Sequence, residues 1–312
     1  MQHGRFAPGG KTPKDMQLRD FLGHYMLARP AAPKQKKNLI ATVAKLESFL
    51  GRPAAIDDLT DTTVNGLLAG LAAGSLSRWT IKGHRSRLLA LWRFAAEDGL
   101  IERLPRKVRP VAVPAAKVEG YCEDQLARLL AACDRIPGRF KNKWRVSRRD
   151  FGRALVMAAY DAGARLGDLE RLPVSAIEEK VVWFVQHKTG KEQVSRFRPE
   201  TVEAIRKIVS PDRPTIFGGL VNRKNFYRFW RGLVKSAGLT GSFRWIRRTS
   251  GSLVEAASPG NGCRHLGNRP DVFRRHYEVR KLTQAIDNRP LPPPISPAPT
   301  METVVTFPRT MI

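Results

Sequence analysis

Apolar residues recur at helical spacing along most of the chain. Between Met16 and Arg29, Leu18, Phe21, Leu22, Tyr25 and Met26 fall on one face. Pro30 and Pro33 end that helix and open a second, from about Lys34 to Leu50, with Leu39, Val43, Leu46 and Phe49 or Leu50 inward. Leu59-Thr60-Asp61 supplies an N-cap for a third helix through Leu71, stopped by Gly74. Ser77 or Thr80 opens a fourth, running to Asp98 with Ile81, Leu88, Leu91, Trp92 and Ala95 inward. Four amphipathic helices joined by short loops predict a small bundle.

The pattern then breaks. Leu104 to Ala116 (LPRKVRPVAVPAA) has three prolines and no amphipathic period, and reads as an extended linker. Helical spacing resumes at Tyr121 or Cys122 and runs to Ala132, with Leu126, Leu129 and Leu130 inward. A basic insertion, Arg139 to Arg149, precedes a mostly apolar helix from Phe151 to Tyr160. A Gly-containing turn, Asp161-Ala162-Gly163-Ala164, separates it from a short helix over Arg165–Leu172. Lys180 to Gln186 and Gln193 to Phe197 read as two strands of a hairpin, with Lys188 and Lys191 on its turn. Helices are predicted again over Thr201–Ile208 and Arg223–Ala237, then through the arginine-rich stretch that begins near Phe243. Ser258-Pro259-Gly260-Asn261-Gly262, with Val254–Ala257 ahead of it, reads as a loop. The expected class is mainly α with a small β-hairpin or sheet.

Charge changes the picture more than composition does. Lysine and arginine number 55 against 28 acidic residues, a formal net charge of +27, and 39 of the basic residues follow residue 104. A field of that sign favours nucleic acid as partner over an acidic protein or a membrane surface. No RRM, KH or zinc-knuckle signature points to RNA. Cys122, Cys133 and Cys263 lack metal-ligand spacing and form no disulfide framework. No apolar run is long enough for a membrane span or a signal peptide, so a cytoplasmic location is expected. Residues 1–14 read as a loose arm. The Pro-rich stretch from Asn288 to Thr300 and the residues after it, 288–312, read as an extended or disordered tail.

The candidate chemistry lies in five short segments. They are Ala162-Gly163-Ala164-Arg165-Leu166-Gly167-Asp168, His187-Lys188-Thr189-Gly190, Ile246-Arg247-Arg248-Thr249, Leu266-Gly267-Asn268, and Tyr277 nine residues beyond Asn268. In this order and spacing they resemble the two arginine boxes, hairpin lysine, third box and nucleophilic tyrosine of the tyrosine recombinases (the phage-integrase family of site-specific DNA recombinases). The resemblance covers most of the chain. It implies a helical core-binding, SAM-like domain over residues 15–104, a linker over 105–118 and an α+β catalytic domain over 119–287, the two domains closing as a clamp on duplex DNA.

The resemblance assigns catalytic roles to Tyr277, Arg165, Lys188 and Arg247, with Arg244 and Asn268 beside them. Arg244 and Arg248 compete with Arg247 for the second arginine role, and Lys191 with Lys188 for the hairpin role. The chemistry accounts for these residue types. Attack of a phenol on a phosphodiester builds charge on the non-bridging oxygens, which two guanidinium forks clamp. A lysine protonates the leaving 5′-oxygen, and the tyrosine holds the 3′-phosphate as a covalent phosphotyrosine. The reaction needs no cofactor. Lys82, Arg85, Arg87, Arg106, Lys107, Lys191, Arg248 and His265 are candidate DNA contacts. The implied partners are double-stranded recombination sites. The implied assembly is a homo-tetramer on paired sites and a monomer or dimer away from DNA, with residues from about Val279 to Ile286 lent to a neighbour.

The chain departs from the pattern twice. Arg244 stands where the family most often has histidine, and Asn268 where it usually has histidine or tryptophan. Arginine cannot readily accept the tyrosine proton near neutral pH. His265 is a candidate substitute base. Two other readings follow: a DNA-binding relative that has lost catalysis, and a type IB topoisomerase-like nicking and resealing enzyme.

Overall fold

The computed structural model describes residues 16–283 except 116, 143, 179–180 and 211. The expected arm over 1–14, the Pro-rich tail over 288–312 and the last part of the segment to Ile286 lie outside the described residues. The chain divides into two compact units at the junction of residues 115 and 116.

The first unit is built by α1 (Leu18–Ala28), α2 (Pro33–Leu50), α3 (Asp61–Ala73) and α4 (Arg78–Glu97). The inward stripes meet as predicted, with Phe21, Leu39, Leu46, Leu67, Leu88, Leu91 and Trp92 all buried in one core. Proline opens α2 at its first turn, where a missing N–H costs nothing, and Gly51 in the left-handed region closes it. Thr60 caps α3 by accepting from the Thr63 N–H, and Ser77, not Thr80, caps α4. The segment read as a linker is extended, but its first half is fastened to the bundle. Asp61 Oδ1 accepts the backbone N–H of Lys107, Asn65 pairs with the backbone of Lys107 and Arg109, and Trp92 Nε1 donates to the Arg103 carbonyl at 2.6 Å.

The second unit gathers around one apolar helix. After α5 (Glu123–Asp134), α6 (Arg148–Ala162) buries Phe151, Ala154, Leu155, Val156, Ala158, Ala159 and Ala162. The run of alanines lets neighbouring helices approach closely. α5, α8 (Pro199–Arg206) and α10 (Arg244–Ala257) all pack on it. Between them lie α7 (Leu166–Leu169) and an antiparallel sheet ordered β1 (Ile177–Glu178), β2 (Val181–Val185) and β3 (Glu192–Arg196). Strand alternation puts Val182, Gln193 and Ser195 inside and leaves Trp183, Val185 and Val194 exposed. The amphipathic α9 (Arg223–Ser236) contributes Phe226, Phe229, Trp230 and Leu233 to the core. α11 (Asn261–His265), α12 (Pro270–His276) and α13 (Arg280–Thr283) complete the unit.

Three local expectations need correction. The predicted loop over residues 254–262 is mostly helix, because α10 continues to Ala257 and α11 begins at Asn261. Glu255 closes the short turn between them by accepting the backbone N–H groups of Gly260 and Gly262. Helix α6 starts at Arg148, so the end of the basic insertion forms its first turn, with Ser147 as cap. Strand β1 is too short to show a period in the sequence.

Helix α10 is fixed to the start of this unit by one hydroxyl. Thr249 Oγ1, fully buried, accepts the Tyr121 N–H at 2.7 Å and faces the carbonyls of Tyr121 and Trp245 at 2.8 and 3.0 Å. Thr249→Val keeps the shape and strands the Tyr121 N–H. Denaturant unfolding is expected to show a loss of about 1–3 kcal/mol, whereas an unchanged midpoint would mean the bridge contributes nothing.

Candidate active site

The site begins where α6 ends. Gly163 takes the left-handed conformation, and a Cβ there would lie 2.5 Å from Leu266 Cδ2 and 2.8 Å from His265 Nε2. Only glycine suits both the backbone and the space. Two residues on, Arg165 sits in extended conformation at the head of α7. Its N–H lies 3.4 Å from Asp168 Oδ2, and the other oxygen of that buried carboxylate accepts the His187 N–H at 2.9 Å. Asp168 thus joins the backbone of Arg165 to the hairpin turn. The Arg165 guanidinium donates from Nη1 to Gln186 Oε1 at 2.8 Å and from Nη2 to Asn268 Oδ1 at 3.1 Å.

Arg247, on the inner face of α10, is only 2% exposed. Its burial is made tolerable by backbone acceptors: Nη1 donates to the Gly163 carbonyl and Nη2 to the Leu266 carbonyl at 2.6 Å. Gly163 lies just past the last turn of α6, where carbonyls lack helical partners and carry partial negative charge. Burial, then the nearby Arg165 charge, push the Arg247 pKa down to about 10, so the group stays protonated at neutral pH. Nη2 also lies 3.5 Å from Asn268 Oδ1. Both arginines therefore address the same amide oxygen, which leaves Asn268 Nδ2 facing elsewhere. Asn268 Nδ2 and Arg247 Nε are both buried donors without a hydrogen-bond partner in the structure. Unpaired buried donors are costly, by about 1–3 kcal/mol each.

Tyr277 caps the end of α12. Its ring packs against the small cluster of Cys263, Leu266 and Phe273, and the Arg247 guanidinium carbon stands 5.0 Å from the ring centroid. Ser252 holds the backbone here, donating to the Tyr277 carbonyl at 3.3 Å and accepting the Val279 N–H at 2.8 Å. Burial works against ionisation of the phenol. The positive charges of Arg247, Arg165 and, more weakly, Arg244 outweigh it and hold the Tyr277 pKa below the ordinary phenol value.

The fold thus brings Arg165, Arg247, Asn268 and Tyr277 together, with Arg247 buried, Arg248 half-buried and Arg244 exposed. Arg244 is exposed at the first turn of α10. Arg248 donates to the His276 and Glu119 carbonyls, so it braces the backbone on either side of the site. Lys188 and Lys191 are both exposed on the hairpin turn, and among the described residues neither side chain makes a hydrogen bond or ion pair. The candidate DNA contacts divide. Lys82, beside the Trp79 ring, and Arg106 and Lys107 are exposed. Arg85 bonds the carbonyls of Val108 and Arg109, and Arg87 bonds Thr42, so both side chains serve the bundle itself.

His265 is placed differently from the expectation of a substitute base. Its Nε2 lies 2.7 Å from Ser250 Oγ, which in turn donates to the Tyr160 carbonyl at 2.5 Å. The ring must therefore donate to Ser250, and it faces the α6–α10 packing instead of the phenol. Gln186, Ser252 and the Gly163 carbonyl are the parts that sequence reasoning missed. A polar residue in register with buried Val182, two and four positions along the strand, was the available sign for Gln186.

Burial, reinforced by the Arg247 charge, lowers the His265 pKa to about 4. The depressed value means this group's contribution is fully present above the unfolded pKa of about 6.5 and is lost as pH falls toward 4. The loss is expected to be on the order of 3 kcal/mol. His265→Gln, which keeps a donor for Ser250 without a titrating ring, should flatten the dependence of unfolding free energy on pH across that window. Equal slopes in both proteins would contradict the assignment.

No protein-family model matches the chain, and no curated protein matches it in sequence. Solved structures do. A lambda integrase dimer bound to a COC′ core site superposes with a TM-score of 0.65 at 19% identity, covering 91% of this chain and 81% of that one. XerH site-specific recombinase, in a post-cleavage complex with palindromic difH substrate, gives 0.64 at 15% identity over 84% of this chain and 81% of its own. The Tn1549 transposon integrase, with circular intermediate DNA, gives 0.64 at 14% identity over 88% of this chain and 100% of its own. At these identities the likeness is one of architecture, and the chain has the fold of the tyrosine recombinases.

Proposed function

We propose that the chain is a site-specific DNA recombinase that cleaves and rejoins duplex DNA through a covalent 3′-phosphotyrosine at Tyr277. The observation that carries this reading is the pair of unpartnered buried donors, Arg247 Nε and Asn268 Nδ2, beside a tyrosine whose pKa is lowered. A phosphodiester is the acceptor that suits them. Its non-bridging oxygens would take those two donors and the exposed edge of Arg165, in a water-poor site where fixed donors act strongly. Tyr277, its proton lost to solvent, forms the new O–P bond. The bond from phosphorus to the 5′-oxygen breaks, and Lys188, swinging from the exposed hairpin turn, gives that oxygen a proton. Arg244 takes the place of a base by favouring the phenolate through its charge.

The remaining roles follow the same reading. The basic residues left exposed, Lys82, Arg106, Lys107 and Lys191, are offered to the DNA backbone. Residues 15–104 serve as core-binding domain and residues 119–287 as catalytic domain, joined by 105–118. The chain works as a tetramer on two paired sites, as a soluble protein of the bacterial or phage-infected cytoplasm. One observation favours a second reading: no group suited to act as a base stands at Arg244, which fits a DNA-binding relative that cleaves slowly or not at all.

Incubation with a nicked suicide substrate separates the two. The wild-type chain is expected to accumulate a protein–DNA adduct that is absent in Tyr277→Phe, while both bind the substrate equally. Binding without adduct in either protein would select the second reading. Adduct formation should also rise with pH and level off below the pH expected of an ordinary phenol, near 10. Arg244→Gln removes one of the charges that lower this pKa and is expected to move the rise to higher pH. A profile that is the same in both proteins would remove Arg244 from the mechanism.

A further inference from the structure

Gln186 follows β2 at the base of the hairpin turn and is fully buried, with 0% exposure. Both ends of its amide are in use. Oε1 accepts from Arg165 Nη1 at 2.8 Å and from Thr189 Oγ1 at 2.9 Å. Nε2 donates to the Leu266 carbonyl at 3.1 Å and to Gln193 Oε1. The Leu266 carbonyl also receives Arg247 Nη2. The backbone of the turn closes on the same residue, since its N–H donates to the Lys191 carbonyl and its carbonyl accepts from Gly190 at 2.8 Å and Thr189 at 3.2 Å.

We infer that Gln186 is a positioning residue that couples the Lys188 turn to the two phosphate-binding arginines. The inference rests on the reading of Lys188 as the proton donor. An amide has two donors and two acceptor lone pairs, and here all four are satisfied. A glutamine retained only to fill space would need partners, but these partners are Arg165, a carbonyl shared with Arg247, and the residue next to Lys188. Lys188 itself has no fixed contact among the described residues. Thr189 is the adjoining side chain, and its bond to Gln186 is the one that ties the turn to Arg165. The Asp168 carboxylate makes a second tie, through the His187 N–H. With the turn held this way, the lysine returns to one place relative to the phosphate each time it swings in. Without the amide, Arg165 keeps Asn268 and the turn keeps its backbone hydrogen bonds, while the side-chain link from the turn through Thr189 to the Arg165 guanidinium is lost.

The chemistry of the leaving group offers a test that a purely structural role would not satisfy. In the normal substrate, the electron pair of the breaking P–O bond goes to the 5′-oxygen, which needs the lysine proton. When that bridging oxygen is replaced by sulfur, the pair leaves on a thiolate and no proton is required. Adduct formation is measured at saturating DNA on both substrates for the full chain and for Gln186→Leu and Thr189→Val. Thr189 is exposed, so its variant severs the tie without disturbing the core.

Both variants are expected to slow cleavage of the oxygen substrate, by roughly 10²-fold for Gln186→Leu given the usual worth of a general acid. Thr189→Val, which leaves the Gln186–Arg165 bond in place, is expected to approach the wild-type rate on the sulfur substrate, and Gln186→Leu to lose less there than on the oxygen substrate. Losses of equal size on the two substrates, in both variants, would overturn the coupling to Lys188, as would unchanged rates on the oxygen substrate. If Gln186→Leu unfolds, Thr189→Val decides alone. A wild-type chain that cleaves neither substrate would instead overturn the recombinase reading and this inference with it.

Discussion

The buried guanidinium of Arg247 is the constraint that the rest of the second unit obeys. A cation taken out of water must be met by acceptors, and this one is met by the carbonyl after α6 and by the carbonyl that ends the α11 turn. Those two contacts fix where three chain segments come together. They require α6 to stop at a glycine, because a side chain at Gly163 would strike Leu266 and His265. They also require α10 to pack against α6, which the Ser250 hydroxyl secures through the Tyr160 carbonyl. Arg165 and Asn268 each lie two residues past one of those carbonyls, and Tyr277 packs against Leu266, so meeting the needs of one arginine gathers these side chains.

Electrostatics then turns an assembly into a potential catalyst. Two guanidiniums share one amide oxygen, an arrangement that repels unless an anion joins it. Their combined charge holds the phenol of Tyr277 below its ordinary pKa in spite of burial. It also lowers the pKa of Arg247 itself, together with the larger effect of its burial. In the proposed function, the same field makes the absence of histidine at Arg244 less damaging, since a phenol that ionises more readily depends less on a neighbouring base. There, too, the strong positive charge over the rest of the chain has a separate role, drawing DNA toward the surface before any of these contacts form.

Much of this was legible in the sequence, and the parts that were not have physical reasons. The amphipathic helices α1 to α4 and α9 carry inward stripes long enough to read, and their caps at Thr60, Ser77 and Asn222 are of the expected types. The resemblance to the tyrosine recombinases grouped Arg165, Lys188, Arg247, Asn268 and Tyr277 in one site, and the structure brings all of these but Lys188 together. Spacing alone could not indicate which of Arg244, Arg247 and Arg248 turns inward, because that depends on which face of α10 packs on α6. The loop expected across 254–262 was misread because Pro259 and Gly260 are genuine breakers whose influence spans only three residues once Glu255 caps the next turn. Gln186 and His265 escaped for a related reason: their roles come from partners 21 to 80 residues distant for the first and 15 for the second, and local pattern has no access to those.

The central claim is that Arg247 Nε and Asn268 Nδ2 are the unfilled donors of a phosphate site facing Tyr277. Orthovanadate tests it without knowledge of the DNA target, since vanadium accepts a fifth oxygen ligand and imitates a phosphoryl group under attack. In a crystal structure of the vanadate complex, the metal centre should be bonded to the Tyr277 oxygen, with its other oxygens within hydrogen-bond distance of both donors and of Arg165. Vanadate bound elsewhere on the protein, with those two donors still unpaired, would contradict the account.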